Sequence, residues 1–342
     1  MIFLVEAPAY SKEHLLSPSP LTANLPSAQQ RFKRKLSPKV VAFEGDFQHQ
    51  MLHTRGVRLH AATAGDPSDP LVLLLHDSFG GWFDFRHVIA PLAQKGFHVA
   101  AIDMRGYGMS DKPPQGYAHR EAVGDLLGCI STLGHNQAHV VGIGAGAAIA
   151  WLAAAHEPQR IKSLCTAGSI HPLDLRRAII SSPWHFSNLL AMTSMFRLPK
   201  VLSRIFWGHR ERIIARDLRT TTSLDYQRSA AFEEELQLRF TAMSIQSTAT
   251  PVAKTSRYVV NVPPVRWATE KVGVPVRMFS DASALSRVLV RRGAKRCESR
   301  FSTERIPGAR QRPHLEQPEA FVRSISAFAR EVERNLNGHS TP

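Results

Sequence analysis

The residues Gly142–Gly146 read GIGAG and lie between a short run of β-branched residues and an Ala-rich run. This order is typical of a strand, a tight turn and a helix. In the nucleophile elbow, which has this pattern, a central Ser, Asp or Cys is held above a parallel sheet, where it attacks an electrophilic carbon. Here the central residue is Gly144, which has no side chain. The sequence therefore predicts the backbone of a nucleophilic site without its reactive atom.

Strand and helix patterns alternate around this turn. Gln48–His53 and Val57–Thr63 predict an antiparallel hairpin. Continuous apolar runs, which are typical of parallel strands covered on both faces, follow at Leu71–His76, His98–Met104, His139–Ile143 and Ile161–Ala167. Helical patterns separate them at Trp82–Lys95, His119–Leu133 and Ala145–His156. The alternation predicts an α/β fold with a doubly wound, mostly parallel sheet.

The alternation stops after Pro172 and resumes at Val274–Phe279, continuing through Ser299–Ile306 to an amphipathic helix at Pro318–Leu336. The intervening residues 173–272 contain helical patterns. We therefore predict one α/β core, residues 46–172 and 273–338, which is interrupted by a helical cap. Residues 1–45 lack periodicity, are rich in Pro, Ser and Gln, and predict a flexible tail.

Composition indicates a soluble globular protein, because 43% of the residues are hydrophobic and 21% are charged. The three cysteines are widely separated, so neither disulfides nor a zinc site are expected, and nothing predicts a metal or a cofactor. The apolar run Met1–Val5 is too short for a signal sequence or a membrane span. We expect a cytoplasmic protein that is at most peripheral to a membrane.

The net charge is +15, and residues 173–342 contribute most of it. Such a field favours acidic partners, nucleic acid or anionic lipid. No nucleic-acid motif accompanies it, so specific nucleic-acid binding is not expected. Leu189–Trp207 mixes apolar and basic residues as an interfacial helix does. The simpler interpretation of that segment is a cap helix that packs over a pocket.

Five segments in order resemble the α/β-hydrolase superfamily, in its epoxide hydrolase and haloalkane dehalogenase branch. They are the strand Leu71–His76 with the loop that follows it, the elbow at Gly144, the DMRGYGMS run at Asp103–Ser110, the helical insertion, and Ile306–Glu319. The resemblance covers most of residues 47–338. It implies the hydrolase fold with a cap and a hydrolytic site that contains a nucleophile, a His and an acid.

At each position where the resemblance implies a triad residue, this chain has another residue. The nucleophile position is Gly144, the position of the acid is Ala284, and the position of the His is Gln311. Removing one triad member leaves a small residual activity, whereas removing all three leaves little beyond binding. The chain is therefore predicted to be catalytically degenerate.

The loop that the resemblance assigns to the oxyanion hole also differs from the family pattern. The predicted pocket contains His76, Asp77, Ser78, Phe79 and Ala145, and Asp77 stands where the family has Gly. A carboxylate there would repel a developing oxyanion unless it points away or binds a cation.

Other residues offer weaker substitutes. Asp281 and His314 each lie three residues from the expected positions and could form a relocated pair, with Asp77 as a third member. The alternative for His314 is a structural role. Tyr226 and Tyr258 lie in the predicted cap, where tyrosines open epoxides in the family. Asp103 and Arg105 are predicted to form a structural ion pair.

Three hypotheses remain open at this point. The first is a non-catalytic protein of hydrolase fold that binds a small apolar ligand or a protein partner. The second is a divergent hydrolase that acts on an epoxide, an ester or a related substrate through Asp77, Asp281 and His314. The third is an interaction module whose basic cap makes weak contact with an anionic membrane surface.

Overall fold

The computed structural model describes residues 25, 26, 31, 36–187, 189, 190 and 209–338. These residues form one sheet with helices on both faces and a helical region inserted between two of its strands. The predicted doubly wound α/β fold is confirmed, and so is the interruption of the core by helices.

The sheet has eight strands: β1 Gln48–Thr54, β2 Val57–Ala64, β3 Leu71–Leu75, β4 His98–Ile102, β5 Ala138–Ile143, β6 Ile161–Ala167, β7 Val276–Phe279 and β8 Phe301–Glu304. Their order is β1-β2-β4-β3-β5-β6-β7-β8. Strands β1 and β2 form the predicted hairpin, and β2 pairs antiparallel with β4, while the remaining neighbours are parallel. Because parallel strands end at one edge of the sheet, the loops after β3 and β5 meet there.

Helices cover the sheet on two faces, each of which has its own apolar core. The helix Ala145–His156 follows β5 and is buried over almost its whole length, with Trp151 inaccessible to solvent. The core helices are Ile89–Ala93, His119–Thr132, Ala145–His156, Ala284–Arg296, Pro313–Glu316 and Pro318–Gly338, with 3-10 turns at Trp82–Phe85 and Pro158–Arg160.

Two core helices differ from the sequence prediction. The predicted helix Trp82–Lys95 is a 3-10 turn followed by the short helix Ile89–Ala93. Pro91 cannot donate the backbone hydrogen bond that a continuous helix would need at this point. The helix Ala284–Arg296 was not predicted; the hydroxyl of Ser283 caps it by accepting from the backbone N–H of Ser286.

The cap lies between β6 and β7. Its described helices are Pro172–Ser181, Arg210–Thr221, Leu224–Gln227, Ala230–Ala242, Ala249–Thr255 and Val265–Ala268, with a 3-10 turn at Pro183–Phe186. The segment Leu189–Trp207, which the sequence offered as an interfacial helix, lies outside the described residues apart from its first two positions.

Residues 36–41, which the sequence assigned to the flexible tail, contact the core and the cap. Leu36 donates to the carbonyl of Ser244 over 3.4 Å, and Val41 is fully buried. The indole Nε1 of Trp82 donates to the carbonyl of Val41 over 3.0 Å. Leu36 and Val41 therefore pack on the cap and the core, although the segment shows no regular hydrophobic period. Most of the earlier residues lie outside the described part.

None of the helices in the described ranges is both long and apolar enough to cross a membrane. Cys129 and Cys165 are buried as free thiols, and Cys297 is a half-buried free thiol.

Candidate functional site

A cavity of about 530 Å³ lies at the carboxyl edge of the sheet, under the cap. Gly144, Ala284 and Gln311 all line it. The three positions that the resemblance assigned to the triad thus lie around one space, although they come from three distant parts of the chain. Apolar side chains from the cap and from the helix Ala284–Arg296 form much of the remaining wall, including Leu175, Trp184, Phe186, Ile213, Val259 and Leu289.

The turn at Gly144 has the strained backbone expected of a nucleophile elbow. Its φ is +50° and its ψ is −111°, a conformation that residues with a side chain rarely adopt. The backbone N–H of Gly144 donates to the carbonyl of Ala167 over 2.9 Å, and the helix begins at the next residue. A Cβ atom on Gly146 would lie 2.5 Å from the carbonyl oxygen of Leu75, so the turn also needs glycine there.

The carboxylate of Asp77 fills the space above this turn. Its Oδ1 accepts from the backbone N–H groups of Ser78 and Ala145, each over 2.7 Å. In a hydrolase of this fold, an oxyanion hole consists of the N–H after the nucleophile and an N–H from the loop after β3. Ser78 and Ala145 occupy those two positions. Asp77 therefore points toward the donors of the predicted oxyanion hole and occupies them.

Arg312 holds the second oxygen of this carboxylate. Its Nη2 donates to Oδ2 of Asp77 over 2.9 Å and to Oδ2 of Asp217 over 2.6 Å, while its Nε donates to the hydroxyl of Thr221 over 2.7 Å. The Arg312 side chain is only 1% exposed. Burial raises the pKa of Asp217, although the charge of Arg312 opposes this effect. One guanidinium thus connects the loop after β3 to the cap helix Arg210–Thr221.

A second set of buried charges lies nearby and also connects the core to the cap. Arg239 pairs with Asp84 over 2.9 Å and with Glu235 over 2.8 Å. Arg86 pairs with Glu235 over 2.9 Å and with Glu234 over 3.1 Å. Burial raises the pKa of Asp84 to about 7, even though Arg239 acts to lower it. These pairs join the 3-10 turn Trp82–Phe85 to the cap helix Ala230–Ala242.

His76 and Phe79 position the loop and are not among the residues that line the cavity. Nδ1 of His76 bonds the carbonyl of Asp77 over 2.7 Å, and its Nε2 accepts from the backbone N–H of Met104. Burial lowers the pKa of His76. Phe79 is buried with a φ of +63°. The hydrogen bonds of His76 and the burial of Phe79 therefore support the loop conformation that turns Asp77 toward Ala145.

The structure does not bring the predicted substitutes Asp281 and His314 together. His314 is buried between the rings of Phe85 and Phe321, and its two ring nitrogens have no hydrogen-bond partner among the described residues. Burial lowers its pKa, and nearby arginines lower it further. Asp281 accepts from the backbone N–H of Ser283 just before a helix. The suggested Asp281–His314 pair is therefore wrong, because each residue is held by its own local packing.

The cap tyrosines also lie away from the cavity. Tyr226 is buried, and its hydroxyl contacts the carbonyl of Ala231 over 3.4 Å. Tyr258 is buried with its ring against that of His119. Neither side chain lines the cavity, so neither is placed to protonate an epoxide oxygen there.

The predicted ion pair between Asp103 and Arg105 is wrong. Asp103 instead accepts from Nδ1 of His60 over 2.8 Å and from the backbone N–H of Trp82 over 2.9 Å. Although burial acts to raise it, the contact with His60 holds the pKa of Asp103 at about 2. Arg105 pairs with Asp125 over 2.6 and 2.8 Å. Asp103 is thus held from the strand Val57–Ala64 and Arg105 from the helix His119–Thr132.

Sequence reasoning missed Arg312 and Asp217. The available signal was indirect: an unpaired acid at Asp77 required a cation, and Arg312 directly follows Gln311. Nothing in the sequence distinguished Asp217 from other acids of the cap. Within the described ranges, no group of three or more His, Cys, Asp or Glu side chains could hold a metal ion.

Comparison with known proteins agrees with this architecture. Residues 70–268 match the family model for the alpha/beta hydrolase fold. Epoxide hydrolase B of Mycobacterium tuberculosis is 43% identical over 116 residues, a match that spans 33% of each chain. The AB hydrolase superfamily protein YfhM of Bacillus subtilis is 33% identical over 156 residues, which is 44% of this chain and 54% of that protein.

Solved structures show the same fold. Epoxide hydrolase A of Mycobacterium thermoresistibile superimposes with a TM-score of 0.69 at 22% identity, covering 83% of this chain and 98% of that one. An epoxide hydrolase of Vigna radiata gives a TM-score of 0.66 at 20% identity, covering 84% and 99%. The sheet, the elbow backbone and these matches together show that the chain belongs to the α/β-hydrolase family, in its epoxide hydrolase-like branch.

Proposed function

We propose that this protein binds a small, mostly apolar molecule in the cavity under its cap and does not hydrolyse it through the family's triad. The observation that carries the proposal is the position of Asp77, whose Oδ1 occupies the backbone donors of Ser78 and Ala145. An oxyanion hole stabilises charge that develops during the reaction. Donors already bonded to a carboxylate that Arg312 also holds are not available for that purpose.

The missing side chains support the same proposal. Gly144 supplies no nucleophile, Ala284 no carboxylate, and Gln311 no group that takes up a proton at neutral pH. The alternative set of Asp77, Asp281 and His314 has no common geometry, since His314 lies outside the cavity. In the family's mechanism, an acyl or alkyl group is transferred to the enzyme and is then hydrolysed. That mechanism therefore lacks the residue that would transfer the proton.

The cavity itself supports a binding role. A volume of about 530 Å³ lies within the range of small-molecule sites, which are largely apolar with a few placed polar groups. Relatives of this chain are named epoxide hydrolases. Apolar epoxides and the diols derived from them are therefore the first ligands to examine.

The test measures binding and turnover on the same samples. Styrene oxide and its diol, together with larger apolar epoxides, are titrated while the melting temperature and tryptophan fluorescence are recorded. A bound ligand at about a hundredfold excess over its Kd stabilises the folded state by about 2.7 kcal/mol. We expect stabilisation without diol formation from the epoxide beyond the uncatalysed rate.

A pair of cap variants locates the binding site. Ile213→Trp places a larger side chain in the cavity wall, whereas Leu224→Trp changes a cap residue that is 69% exposed. We expect Ile213→Trp to abolish the ligand-induced shift and Leu224→Trp to preserve it. Multiple turnovers of an epoxide or ester that disappear in Asp77→Asn would contradict the non-catalytic proposal. Equal stabilisation of both Trp variants would place the ligand elsewhere.

A further inference from the structure

A strongly basic helix lies beside the cavity. The helix Ala284–Arg296 contains five basic residues and no acidic residue. Arg287, Arg291 and Lys295 are exposed and recur at intervals of four positions. Residues with this spacing lie on one face of a helix. The helix therefore presents an exposed row of three positive charges, while Leu289 on its opposite side lines the cavity.

Two large apolar side chains are exposed next to this helix. Ile180 is 78% exposed and Trp184 is 68% exposed. They flank Ser181, whose hydroxyl accepts from Nη2 of Arg292 over 3.1 Å. The contact places the end of the cap helix Pro172–Ser181 and the turn Pro183–Phe186 against the basic helix. The exposed apolar side chains therefore lie on elements that contact the basic helix.

The acidic residue of the cap helix Pro172–Ser181 does not neutralise the exposed row. Asp174 is buried and pairs with Arg296 over 2.6 Å and with Arg177 over 3.3 Å. Its charge is therefore directed at two other guanidiniums. Arg287 donates to the carbonyl of Ala282. Because a carbonyl carries no net charge, this contact does not neutralise the guanidinium.

We propose that the surface formed by Ile180, Trp184, Arg287, Arg291 and Lys295 docks on an anionic lipid membrane. Each basic residue near an anionic leaflet contributes favourably to binding, and apolar side chains enter the boundary between headgroups and acyl chains. Ile180 favours lipid over nucleic acid, because an aliphatic side chain neither stacks on a base nor bonds a phosphate. The membrane surface does not require a ligand in the cavity, although Trp184 also lines that cavity.

The test is flotation of the full chain with vesicles of phosphatidylcholine, with and without phosphatidylserine. We expect binding only to the vesicles that contain phosphatidylserine, and we expect added salt to weaken it by screening. Arg287→Glu, Arg291→Glu and Lys295→Glu combined should weaken partitioning by at least roughly 100-fold. Ile180→Ser with Trp184→Ser should weaken it while leaving the salt dependence in place.

A control variant has the same change in net charge as the surface variant, but on a helix that covers the opposite face of the sheet. Arg323, Arg330 and Arg334 are exposed on the helix Pro318–Gly338. Replacing all three with Glu should reduce partitioning much less than the surface variant does. Circular dichroism establishes that both variants fold, and brominated lipids should quench the fluorescence of wild type more than that of Trp184→Phe.

Three outcomes would overturn the proposal. The first is an absence of vesicle binding by wild type at low salt. The second is equal loss of binding in the surface variant and the control, which would indicate a response to net charge alone. The third is binding to RNA homopolymer without partitioning to vesicles, which would assign the surface to a nucleic-acid partner.

Discussion

A Cβ atom placed on Gly144 would lie 2.0 Å from the carboxyl carbon of Asp77. No side chain at position 144 fits while Asp77 holds its present position, since two carbon atoms cannot approach so closely without a bond. The carboxylate therefore occupies the volume that a nucleophilic side chain would enter in a hydrolase of this family. The absence of a side chain at Gly144 and the presence of the acid at Asp77 are two parts of one local arrangement.

The effect of a Gly144 substitution on the free energy of unfolding should depend on Asp77. Gly144→Ser introduces a side chain at a φ of +50° and a collision with the carboxylate, so we expect a large loss of the free energy of unfolding. Asp77→Gly removes the collision. In urea denaturation the double variant should therefore be more stable than the sum of the single changes predicts, by about 1–3 kcal/mol.

Gly134 provides the control for this cycle. Its φ is +87°, and nothing lies within 4 Å of a Cβ atom built there, so Gly134→Ser tests backbone strain without a collision. Combined with Asp77→Gly, its effect should be additive within about 0.5 kcal/mol. Additivity of Gly144→Ser with Asp77→Gly would show that the two residues do not compete for space.

Loss of Arg312 should destabilise the folded protein strongly. Arg312→Met leaves the carboxylates of Asp77 and Asp217 without their shared cation, and breaking a buried pair in this way costs about 3–5 kcal/mol. Arg323→Met, at a side chain that is 67% exposed, should change stability by less than about 0.5 kcal/mol. Urea denaturation at neutral pH measures both.

A rescue variant identifies the cause of that loss. Asp77→Asn and Asp217→Asn together remove the two charges that Arg312 compensates, so adding them to Arg312→Met should recover part of the stability. Failure of this combination to recover any stability would attribute the loss to the packing of the Arg312 side chain instead.

Asp84 should make the protein less stable as the pH rises. Burial raises its pKa to about 7, so between about pH 4 and 7 the folded state retains a proton that the unfolded state releases. The contribution of Asp84 to the free energy of unfolding is present at low pH and is lost as the pH rises, by up to about 1.4 kcal/mol per pH unit. Asp84→Asn should remove that slope in denaturation curves recorded across this range, whereas the exposed Asp225→Asn should retain it.

Asp103 should have the opposite pH dependence. Its pKa is held at about 2, so its contribution is complete above about pH 4 and is lost as the pH falls through 2. Asp103→Asn should therefore destabilise the protein more at pH 7 than at pH 3, by about 1–2 kcal/mol. Asp111→Asn removes a more exposed pair with Arg58 and should cost less than about 1 kcal/mol at neutral pH. An Asp103→Asn effect that does not vary with pH would indicate that the hydrogen bonds, rather than the charge, provide the stabilisation.

Much of the fold followed from the sequence because its signals are local. The hairpin Gln48–Thr54 with Val57–Ala64 flanks a short turn, and the buried parallel strands have continuous apolar patterns; the sequence predicts each within a few residues. The sequence also gives Gly, Ala and Gln at positions 144, 284 and 311, where the resemblance implies the triad. The residue type at a single position can be read from the sequence without knowing how the chain packs.

The direction of each side chain was decided only by the tertiary structure. The sequence predicts that a carboxylate at Asp77 repels a developing oxyanion unless it points away or binds a cation. In the structure Asp77 binds Arg312 and at the same time occupies the donors of Ser78 and Ala145. Asp103 and Arg105 are two residues apart, yet they pair with His60 and Asp125. Sequence spacing does not determine which distant charges meet, because that depends on loop conformation and on how the cap packs.

The sequence by itself therefore determined the architecture and the residue types at positions 144, 284 and 311, which the resemblance assigns to the triad. The tertiary structure decided what occupies their place. Arg312 lies 235 positions from Asp77 and 95 from Asp217, and these separations carry no local signal. The three meet because parallel strands bring their carboxyl ends to one edge and the cap closes over it. A buried acid there requires a buried cation, and only the folded chain determines which cation is near enough.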